Sequence, residues 1–207
     1  MSLDFDEQYY KDGYRYVVGT DEAGRGCLLG PVFAAAVILP IGFHSPLIDD
    51  SKKLTAKKRE EAFDIITKNA IAYAVAYIEP DVIDEVNILN ASRMAMQKAI
   101  ASLNHEFDLV ITDCMKMKGY DVPVIDLIHG DALSQSVAAA SILAKVSRDR
   151  LCAELDEKYP EYHIKKNKGY GTKDHLEALK KYGPVKHLHR FSYAPVKEAL
   201  IEKVSLF

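Results

Sequence analysis

Runs of apolar residues bounded by turn residues mark the predicted β-strands of this chain. Short stretches rich in valine, isoleucine and alanine favour strands, because their side chains suit a pleated, half-buried surface. The pattern predicts strands at residues 14–20, 31–39, 70–78, 108–112 and 123–127. Only a short turn separates the first two strands, which we therefore expect to pair as neighbours.

Helical periodicity fills most of the remaining chain. One helix should begin at Thr55, whose hydroxyl can cap it, and another should run from Ser134 to Tyr159, ahead of Pro160. Further helices are predicted at 81–103, with a break possible near Asn87–Asn90, at 173–182 and at 195–203. Strands followed by alternating helices and strands predict an α/β fold, a mixed sheet flanked by helices, with functional groups at strand ends.

Length and composition indicate one sizeable globular domain over residues 1–207, with a core at about 14–160 and a helical C-terminal part at about 161–207. No apolar run approaches the roughly 20 residues that span a bilayer, and the acidic, polar first ten residues do not resemble a secretory signal. Cys27, Cys114 and Cys152 match no metal-binding spacing. We therefore expect reduced thiols, a cytoplasmic protein and no membrane partner.

The net charge of −3 hides a basic segment between residues 158 and 190. Nine lysines and arginines stand there against three acidic residues, with four histidines besides. A local patch of this kind can bind phosphates whatever the global charge. The alternative is a solvated, lysine-rich helical surface.

The stretch Gly19–Gly26, Gly-Thr-Asp-Glu-Ala-Gly-Arg-Gly, carries the strongest chemical signal. It puts Asp21 and Glu22 at the end of the first predicted strand, where their oxygen atoms suit hard divalent cations. Glycines on either side of Arg25 allow close backbone approach while the guanidinium grips a phosphate. The combination suggests phosphodiester chemistry, although an Asp-Glu pair before glycine also occurs in ordinary β-turns.

Two further acids occupy similar positions. Asp113 ends the apolar strand at 108–112, and Asp131 follows the strand at 123–127 and precedes an alanine-rich helix. Singly, Asp113 could cap a turn and Asp131 could cap its helix. Four acids at three strand ends favour a cation site, since carboxylates crowded at one sheet edge repel each other unless cations neutralise them. A pair of cations about 4 Å apart can activate water and stabilise the leaving oxygen in phosphoryl transfer.

Six ordered motifs make the chain similar to type 2 ribonuclease H, that is bacterial ribonuclease HII, and the resemblance covers Val18 to about Ala199. The motifs are Asp21-Glu22-Ala23-Gly24-Arg25-Gly26, Asp50-Ser51-Lys52-Lys53-Leu54, Asn87-Ile88-Leu89-Asn90-Ala91-Ser92, Gly130-Asp131, Ala138-Ala139-Ala140-Ser141-Ile142-Leu143-Ala144-Lys145-Val146 and Lys168-Gly169-Tyr170-Gly171-Thr172. Cys27 replaces the family's usual proline, and Cys114-Met115 replaces a usual Gly-Asn pair.

The resemblance implies a ribonuclease H-like fold and a metal-dependent endonuclease that uses two divalent cations, Mg²⁺ or Mn²⁺. It implies cleavage of the RNA strand of RNA–DNA hybrids, and of duplex DNA on the 5′ side of single embedded ribonucleotides, leaving 3′-hydroxyl and 5′-phosphate ends. The setting would be ribonucleotide repair in the cytoplasm. The implied catalytic and metal-binding residues are Asp21, Glu22, Asp113 and Asp131.

Substrate contacts are implied for the backbone of Gly24, Arg25 and Gly26, which would read the ribose 2′-hydroxyl, for Tyr170 as the ribonucleotide-sensing tyrosine, and for Lys52 and Lys53 on phosphates. Tyr170 could instead be a turn tyrosine packed on the surface. Arg190 joins the candidate substrate-binding residues, although it and Lys145 could equally be surface charges or salt-bridge partners. His187 and His189 are expected in an exposed loop.

Two competing hypotheses remain open at this point. The sibling type 3 ribonuclease H carries an extra N-terminal substrate-binding domain, for which about 13 residues before the first strand leave little room. A non-catalytic nucleic-acid-binding module would be expected to lack at least one of the four acids. We expect a monomer.

The chain ends in Ser205-Leu206-Phe207, which resembles the short peptides that dock bacterial replication proteins into a sliding clamp. That ending would give a weak clamp contact through Leu206 and Phe207, unless both side chains pack back onto the domain.

Overall fold

The computed structural model of the protein describes residues 4–48, 51 and 53–204. Its strands are β1 Val17–Ala23, β2 Val32–Ile38, β3 Ala72–Ile78, β4 Leu109–Asp113 and β5 Val124–Leu127. Its helices are α1 Phe5–Lys11, α2 Ala56–Asn69, α3 Pro80–Val86, α4 Ile88–Ala101, α5 Gly130–Leu133, α6 Gln135–Lys158, α7 Ile164–Asn167, α8 Lys173–Tyr182 and α9 Ala194–Val204, with a 3₁₀ turn at Pro160–Tyr162.

The strands of this part of the chain form one mixed sheet in the order β3-β2-β1-β4-β5. β1, β2 and β3 are antiparallel neighbours, whereas β4 and β5 run parallel to β1. The mixed sheet predicted from the order of elements is therefore confirmed. The parallel arrangement brings the carboxyl ends of β1 and β4 to the same edge of the sheet.

Helices cover both faces because β2 alternates its side chains between two cores. Ala34, Ala36 and Ile38 pack with α4 on one face. Ala35 and Val37 pack with α2 and the alanine-rich part of α6 on the other. Small side chains on both sides let α6 lie unusually close to the sheet: a methyl group at Gly19 would lie 2.1 Å from the carbonyl carbon of Ser136. Gly19 therefore fixes how near α6 approaches β1.

The first strand lies three residues further along the chain than predicted. It begins at Val17 and continues to Ala23, so Asp21 and Glu22 lie within β1 rather than after it. On one side they pair with Ala35 and Ala34 of β2. On the other side the pairing with β4 ends at Thr20. The prediction was wrong because pairing with β2 continues to Ala23, which extends the strand beyond its apolar run.

The predicted helices are confirmed with small shifts in their boundaries. The region 81–103 does divide, at Asn87, which has a φ of 68° and accepts a hydrogen bond from the Asn90 N–H. Ser134 caps α6 by accepting from the Val137 N–H. Helix α1 was not predicted; its Asp6 carboxylate accepts a hydrogen bond from the Ser136 N–H at the start of α6.

The C-terminal helices share a third core with the segment that follows β1. Leu28 and Leu29 pack there with Tyr162, Ile164 and Leu179. His189 was expected to be exposed, but it is fully buried and its Nε2 lies 3.3 Å from that of His175. Burial lowers the pKa of His189 to about 3, so the ring is neutral in this core. Of the helices described, none is both long and apolar enough to cross a bilayer.

Candidate active site

A cleft of about 530 Å³ opens at the sheet edge where β1 and β4 end. Its walls come from five parts of the chain: the end of β1 with the turn that follows it, the start of α2 with Ser51 ahead of it, the end of β4, one face of α6, and the loop between α7 and α8. The lining residues are Asp21, Glu22, Ala23, Gly24, Arg25, Gly26, Ser51, Arg59, Asp113, Ser141, Lys145 and Tyr170. Most of the residues selected from the sequence therefore meet in one place.

The carboxyl groups of Asp21 and Glu22 occupy an electrostatically costly position. Asp21 is 5% exposed, and burial, followed by the charges of Glu22 and Asp113, raises the pKa of its carboxyl well above the usual value. A hydrogen bond from the Ser141 hydroxyl opposes that shift. Burial also raises the pKa of Glu22, while an ion pair with Arg25 at 3.1 Å opposes it. A nearby cation would relieve the repulsion between these groups.

One oxygen of Glu22 is suited to such a cation. Its Oε1 atom binds Arg25, but its Oε2 atom is buried and has no hydrogen-bond partner among the described residues. A buried carboxylate oxygen without a partner is expensive, and a hard divalent ion prefers oxygen donors of this kind. The donor set of Asp21, Glu22 and Asp113 therefore fits a divalent metal. Even so, within the described ranges no three acidic, histidine or cysteine side chains form a ready-made metal cluster.

A hydrogen bond connects Asp113 with the residue that precedes Asp131. Asp113, at the end of β4, accepts a 2.7 Å hydrogen bond on Oδ1 from the Gly130 N–H. Asp131 follows in the single-turn helix α5, and it is 3% exposed and does not line the cleft. Three of the four acids therefore line the cleft, whereas Asp131 is buried and follows the Gly130 whose N–H donates to Asp113; their joint role as metal ligands stays a prediction. Cys114 (φ 51°) and His129 (φ 59°) have left-handed conformations in this region. At position 114 the family's usual glycine would adopt such a φ without strain.

The turn Gly24–Gly26 forms one rim of the cleft, and hydrogen bonds from the C-terminal part of the chain fix its backbone. Gly24 has a φ of 98°, a conformation that favours glycine. Arg190, proposed from sequence as a substrate contact, is instead fully buried beneath this turn, where its Nη1 donates to the Arg25 carbonyl at 2.9 Å. The Tyr193 hydroxyl donates to the same oxygen at 2.6 Å. Arg190 is therefore placed to support the turn and not to touch a ligand in the cleft.

Tyr170 stands on the opposite rim and is 43% exposed. Its ring lies close to the turn, since a methyl group at Gly26 would be 3.8 Å from Tyr170 Cε1. Burial of the rest of the side chain, with the neighbouring Cys27 thiol, raises the pKa of the Tyr170 hydroxyl, and the Arg148 guanidinium opposes this shift. An aromatic ring beside an open backbone turn can pack against a sugar while its hydroxyl forms a hydrogen bond.

Several cationic residues surround the acids, and sequence reasoning identified only some of them. Lys52 lies outside the described residues, and Lys53 is exposed beyond the cleft lining. Arg59 and Lys145 do line the cleft, and both pair with Asp149, at 3.8 Å and 2.7 Å. Arg59 was missed because helix α2 offers many charged residues and nothing in their spacing marks one of them. Ser51 was not predicted to line the site, although it belongs to the same sequence motif as Lys52 and Lys53.

The basic segment beyond residue 158 is largely solvent-exposed, as expected for either of its interpretations. Lys166 pairs with Asp174 at 2.6 Å and Lys173 with Glu177 at 3.8 Å, both on the surface. Surface pairs of this type contribute little to stability, so they do not decide between a phosphate-binding patch and a solvated helical surface.

Comparison with known proteins agrees with this architecture. The sequence model of ribonuclease HII matches residues 18–196. The chain belongs to the ribonuclease HII family. It is 50% identical over 199 residues to the ribonuclease HII of Acholeplasma laidlawii, covering 96% of this chain and 97% of that protein. Its enzymatic class is accordingly that of a ribonuclease H, an endonuclease that hydrolyses RNA in RNA–DNA hybrids, and the family match favours type 2 over type 3.

Solved structures of ribonuclease HII proteins share the fold. The ribonuclease H2 of Pyrococcus horikoshii superposes with a TM-score of 0.77 at 27% identity, covering 91% of this chain and 98% of that one. The ribonuclease HII of Archaeoglobus fulgidus, solved in complex with PCNA, gives a TM-score of 0.70 at 26% identity, covering 84% of this chain and 92% of that one. The ribonuclease H-like fold predicted from the resemblance is confirmed.

Proposed function

We propose that this ribonuclease HII cleaves duplex DNA at single embedded ribonucleotides, on their 5′ side, as well as the RNA strand of hybrids. The products would carry 3′-hydroxyl and 5′-phosphate ends. The observation that supports this specificity is the shared cleft: Asp21, Glu22 and Asp113, the Gly24–Gly26 turn and Tyr170 line the same space of about 530 Å³. The ribose 2′-hydroxyl is the only group that distinguishes a ribonucleotide from its DNA neighbours. The protein groups that recognise it must therefore contact the sugar directly.

Two divalent cations, Mg²⁺ or Mn²⁺, are proposed to be held by Asp21, Glu22, Asp113 and Asp131. When bound, such a pair supplies an activated water and charge stabilisation for the leaving oxygen. The chain's own contribution begins with Glu22 Oε2, which has no partner in the part of the chain that the structure describes, and with the buried carboxyl of Asp21; both would offer oxygen ligands that are already desolvated. The Gly130 N–H fixes the orientation of the Asp113 carboxylate.

The turn and Tyr170 are proposed to select the ribonucleotide. Arg190 and Tyr193 hold the Arg25 carbonyl through hydrogen bonds, and the backbone of this fixed turn would read the sugar. Tyr170 would pack on the adjacent sugar from the other rim. Lys52, Lys53 and the basic segment would hold phosphates and set the register without reading sequence. Ribonucleotide repair in the cytoplasm would be the setting.

A direct test uses the full chain and three matched duplexes: one with a single ribonucleotide, one long RNA–DNA hybrid and one of DNA alone. We expect cleavage 5′ to the single ribonucleotide in Mg²⁺ or Mn²⁺, none of the all-DNA duplex, and loss of cleavage on chelation. End-labelling identifies the product termini. Cleavage of the hybrid with no cleavage at the single ribonucleotide would refute the proposed specificity while leaving the family's activity intact.

Tyr170→Ala should reduce cleavage at an isolated ribonucleotide far more than it reduces binding. Binding rests mainly on salt-sensitive phosphate contacts elsewhere, whereas small displacements at the reacting phosphate cost much rate. We expect single-turnover cleavage to fall by about ten- to a hundredfold with the duplex Kd changed by less than about twofold. Tyr73→Ala is the matched control, because Tyr73 is also 43% exposed but lies on β3, away from the cleft. Equal losses in rate and affinity, or none, would contradict this division of roles.

The proposed sliding-clamp contact concerns Leu206 and Phe207, which lie outside the described residues. Two apolar side chains at a chain end could anchor in a pocket on a clamp, and the PCNA complex of the Archaeoglobus fulgidus protein makes clamp docking a reasonable comparison. Such a tether would raise the local concentration of the enzyme on newly made DNA. The competing hypothesis is that both residues pack on the domain.

Deleting Leu206 and Phe207 separates the two hypotheses. Docking predicts an unchanged melting temperature and unchanged cleavage, with clamp binding lost in a titration against the purified clamp. Packing predicts a clear fall in melting temperature. Failure of the intact chain to bind the clamp would also leave only the packing role.

A further inference from the structure

Arg148 of α6 is buried in a way that arginine rarely is. Only 2% of the residue is exposed, and its Nε and Nη1 atoms have no hydrogen-bond partner among the described residues. Arginine is almost never fully buried unless it is paired, because an uncompensated charge in the interior costs much free energy. Because burying the Arg148 guanidinium in this way lowers the free energy of unfolding, the residue is expected to have a role other than stabilising the fold.

The guanidinium lies between the two glycine-bordered rims of the cleft. A methyl group at Gly24 would lie 2.2 Å from Arg148 Nε, and one at Gly169 would lie 3.1 Å from Arg148 Nη2. Both glycines have positive φ, 98° and 77°. The Arg148 side chain therefore occupies the space that side chains at both positions would fill.

The same group also meets the aromatic ring of Tyr170. Arg148 Cζ lies 5.9 Å from the ring centroid, within the range of a cation–π contact. Arg148 further continues a helix face that begins at the acids: Ser141, Lys145 and Arg148 are spaced by four and three residues, and the first two line the cleft. One rigid helix thus connects the Ser141 hydroxyl at Asp21 with the ring of Tyr170.

We propose that Arg148 is a positioning residue that sets the distance between Tyr170 and the Gly24–Gly26 turn, and thereby the enzyme's selectivity for a ribonucleotide. It touches neither substrate nor metal. It keeps the Gly24–Gly26 turn and the loop that carries Tyr170 far enough apart to admit one sugar. It also prevents the Tyr170 ring from packing into the space between them. The inference rests on the proposed reading of a ribonucleotide by Tyr170.

The test is a double-variant cycle with Arg148→Met and Tyr170→Ala. Methionine keeps most of the buried volume but removes a charged group whose Nε and Nη1 have no partner among the described residues, so the melting temperature should be unchanged or raised. We expect Arg148→Met to slow single-turnover cleavage at one embedded ribonucleotide about tenfold, with the duplex Kd nearly unchanged. The double variant should be no more than about twofold slower than Tyr170→Ala alone, because both changes remove the same placement.

Two further variants sharpen this result. Arg148→Lys keeps the charge without the planar fork, so it should recover part of the rate and should show the same coupling to Tyr170, which keeps the test decisive if Arg148→Met fails to fold. Arg150→Met is the matched control: Arg150 is on the same helix but pairs with Glu60 and lies over Phe63, away from the cleft. We expect it to cleave at the normal rate.

The inference would be wrong if the rate losses of Arg148→Met and Tyr170→Ala were additive in the double variant. It would also be wrong if the melting temperature of Arg148→Met fell far enough to explain its lower cleavage rate by unfolding alone. The two levels of proposal fail separately. If the unmodified chain does not cleave at a single ribonucleotide, the proposed specificity is wrong. If it does cleave there and Arg148 and Tyr170 act independently, only the positioning role is wrong.

Discussion

Asp113→Asn should abolish turnover while the protein stays folded and still binds duplexes. The amide oxygen can accept the hydrogen bond that Asp113 Oδ1 receives from the Gly130 N–H at 2.7 Å, so the local backbone has no reason to move. What disappears is one negative charge among the proposed metal ligands. Metal-mediated charge stabilisation is worth several kcal/mol, and each ~1.4 kcal/mol is tenfold in rate, so we expect at least about a thousandfold loss of kcat on an RNA–DNA hybrid.

The matched control for this variant is Asp126→Asn on the neighbouring strand. Asp126 is exposed on β5 and pairs in register with Thr112, one residue before Asp113. The same chemical change there should leave kcat within about twofold of normal, since surface substitutions away from the site rarely matter. Circular dichroism and equilibrium binding check that the Asp113 variant is folded and binds. Near-normal cleavage by a folded Asp113→Asn protein would remove Asp113 from the metal site.

The sequence allowed the sheet and the location of the site to be predicted because several local signals agreed. Apolar runs defined each strand, and Asn87 marked the division between α3 and α4, where its φ of 68° is one that asparagine tolerates better than most residues. The acids Asp21 and Asp113 lie side by side because β1 and β4 are parallel neighbours. The strands, the division between α3 and α4 and the position of these acids could be predicted from one sequence because the local patterns agree with the overall fold.

The features that were missed depend on tertiary packing, which no local pattern reports. Arg190 was a candidate substrate contact or surface charge, and nothing in the sequence singled out Arg148, yet both are buried. Asp131 stands one residue after Gly130, but whether it faces the cleft depends on the single-turn helix α5, which is too short to leave a periodic signal. Helix α1 is seven residues long and mostly polar, and it is secured by the Asp6 contact to α6.

Gly19→Ala should destabilise the protein strongly, although one methyl group is the only addition. Gly19 lies in β1, two residues before Asp21, and the added carbon would lie 2.1 Å and 2.4 Å from backbone atoms of Ser136 and 2.4 Å from the Val137 nitrogen. Helix backbone cannot rotate aside as a side chain can, so α6 must move away from the sheet as a unit. Overpacking costs typically 1–3 kcal/mol and here should reach at least about 3 kcal/mol, or a fall of about 10 °C in melting temperature.

That displacement should also reach the site, because α6 carries Ser141 to Asp21 and Lys145 to the cleft. Gly119→Ala is the control. Gly119 also resists substitution, with a φ of 89°, but it has open space around it, so only the backbone cost of about 1–2 kcal/mol applies and cleavage should be normal. Thermal unfolding and hybrid cleavage of both variants make the comparison. A Gly19→Ala protein that melts within about 2 °C of the unmodified chain would show that α6 is not held against β1 as closely as described, and the coupling between this packing and the placement of Asp21 would have to be abandoned.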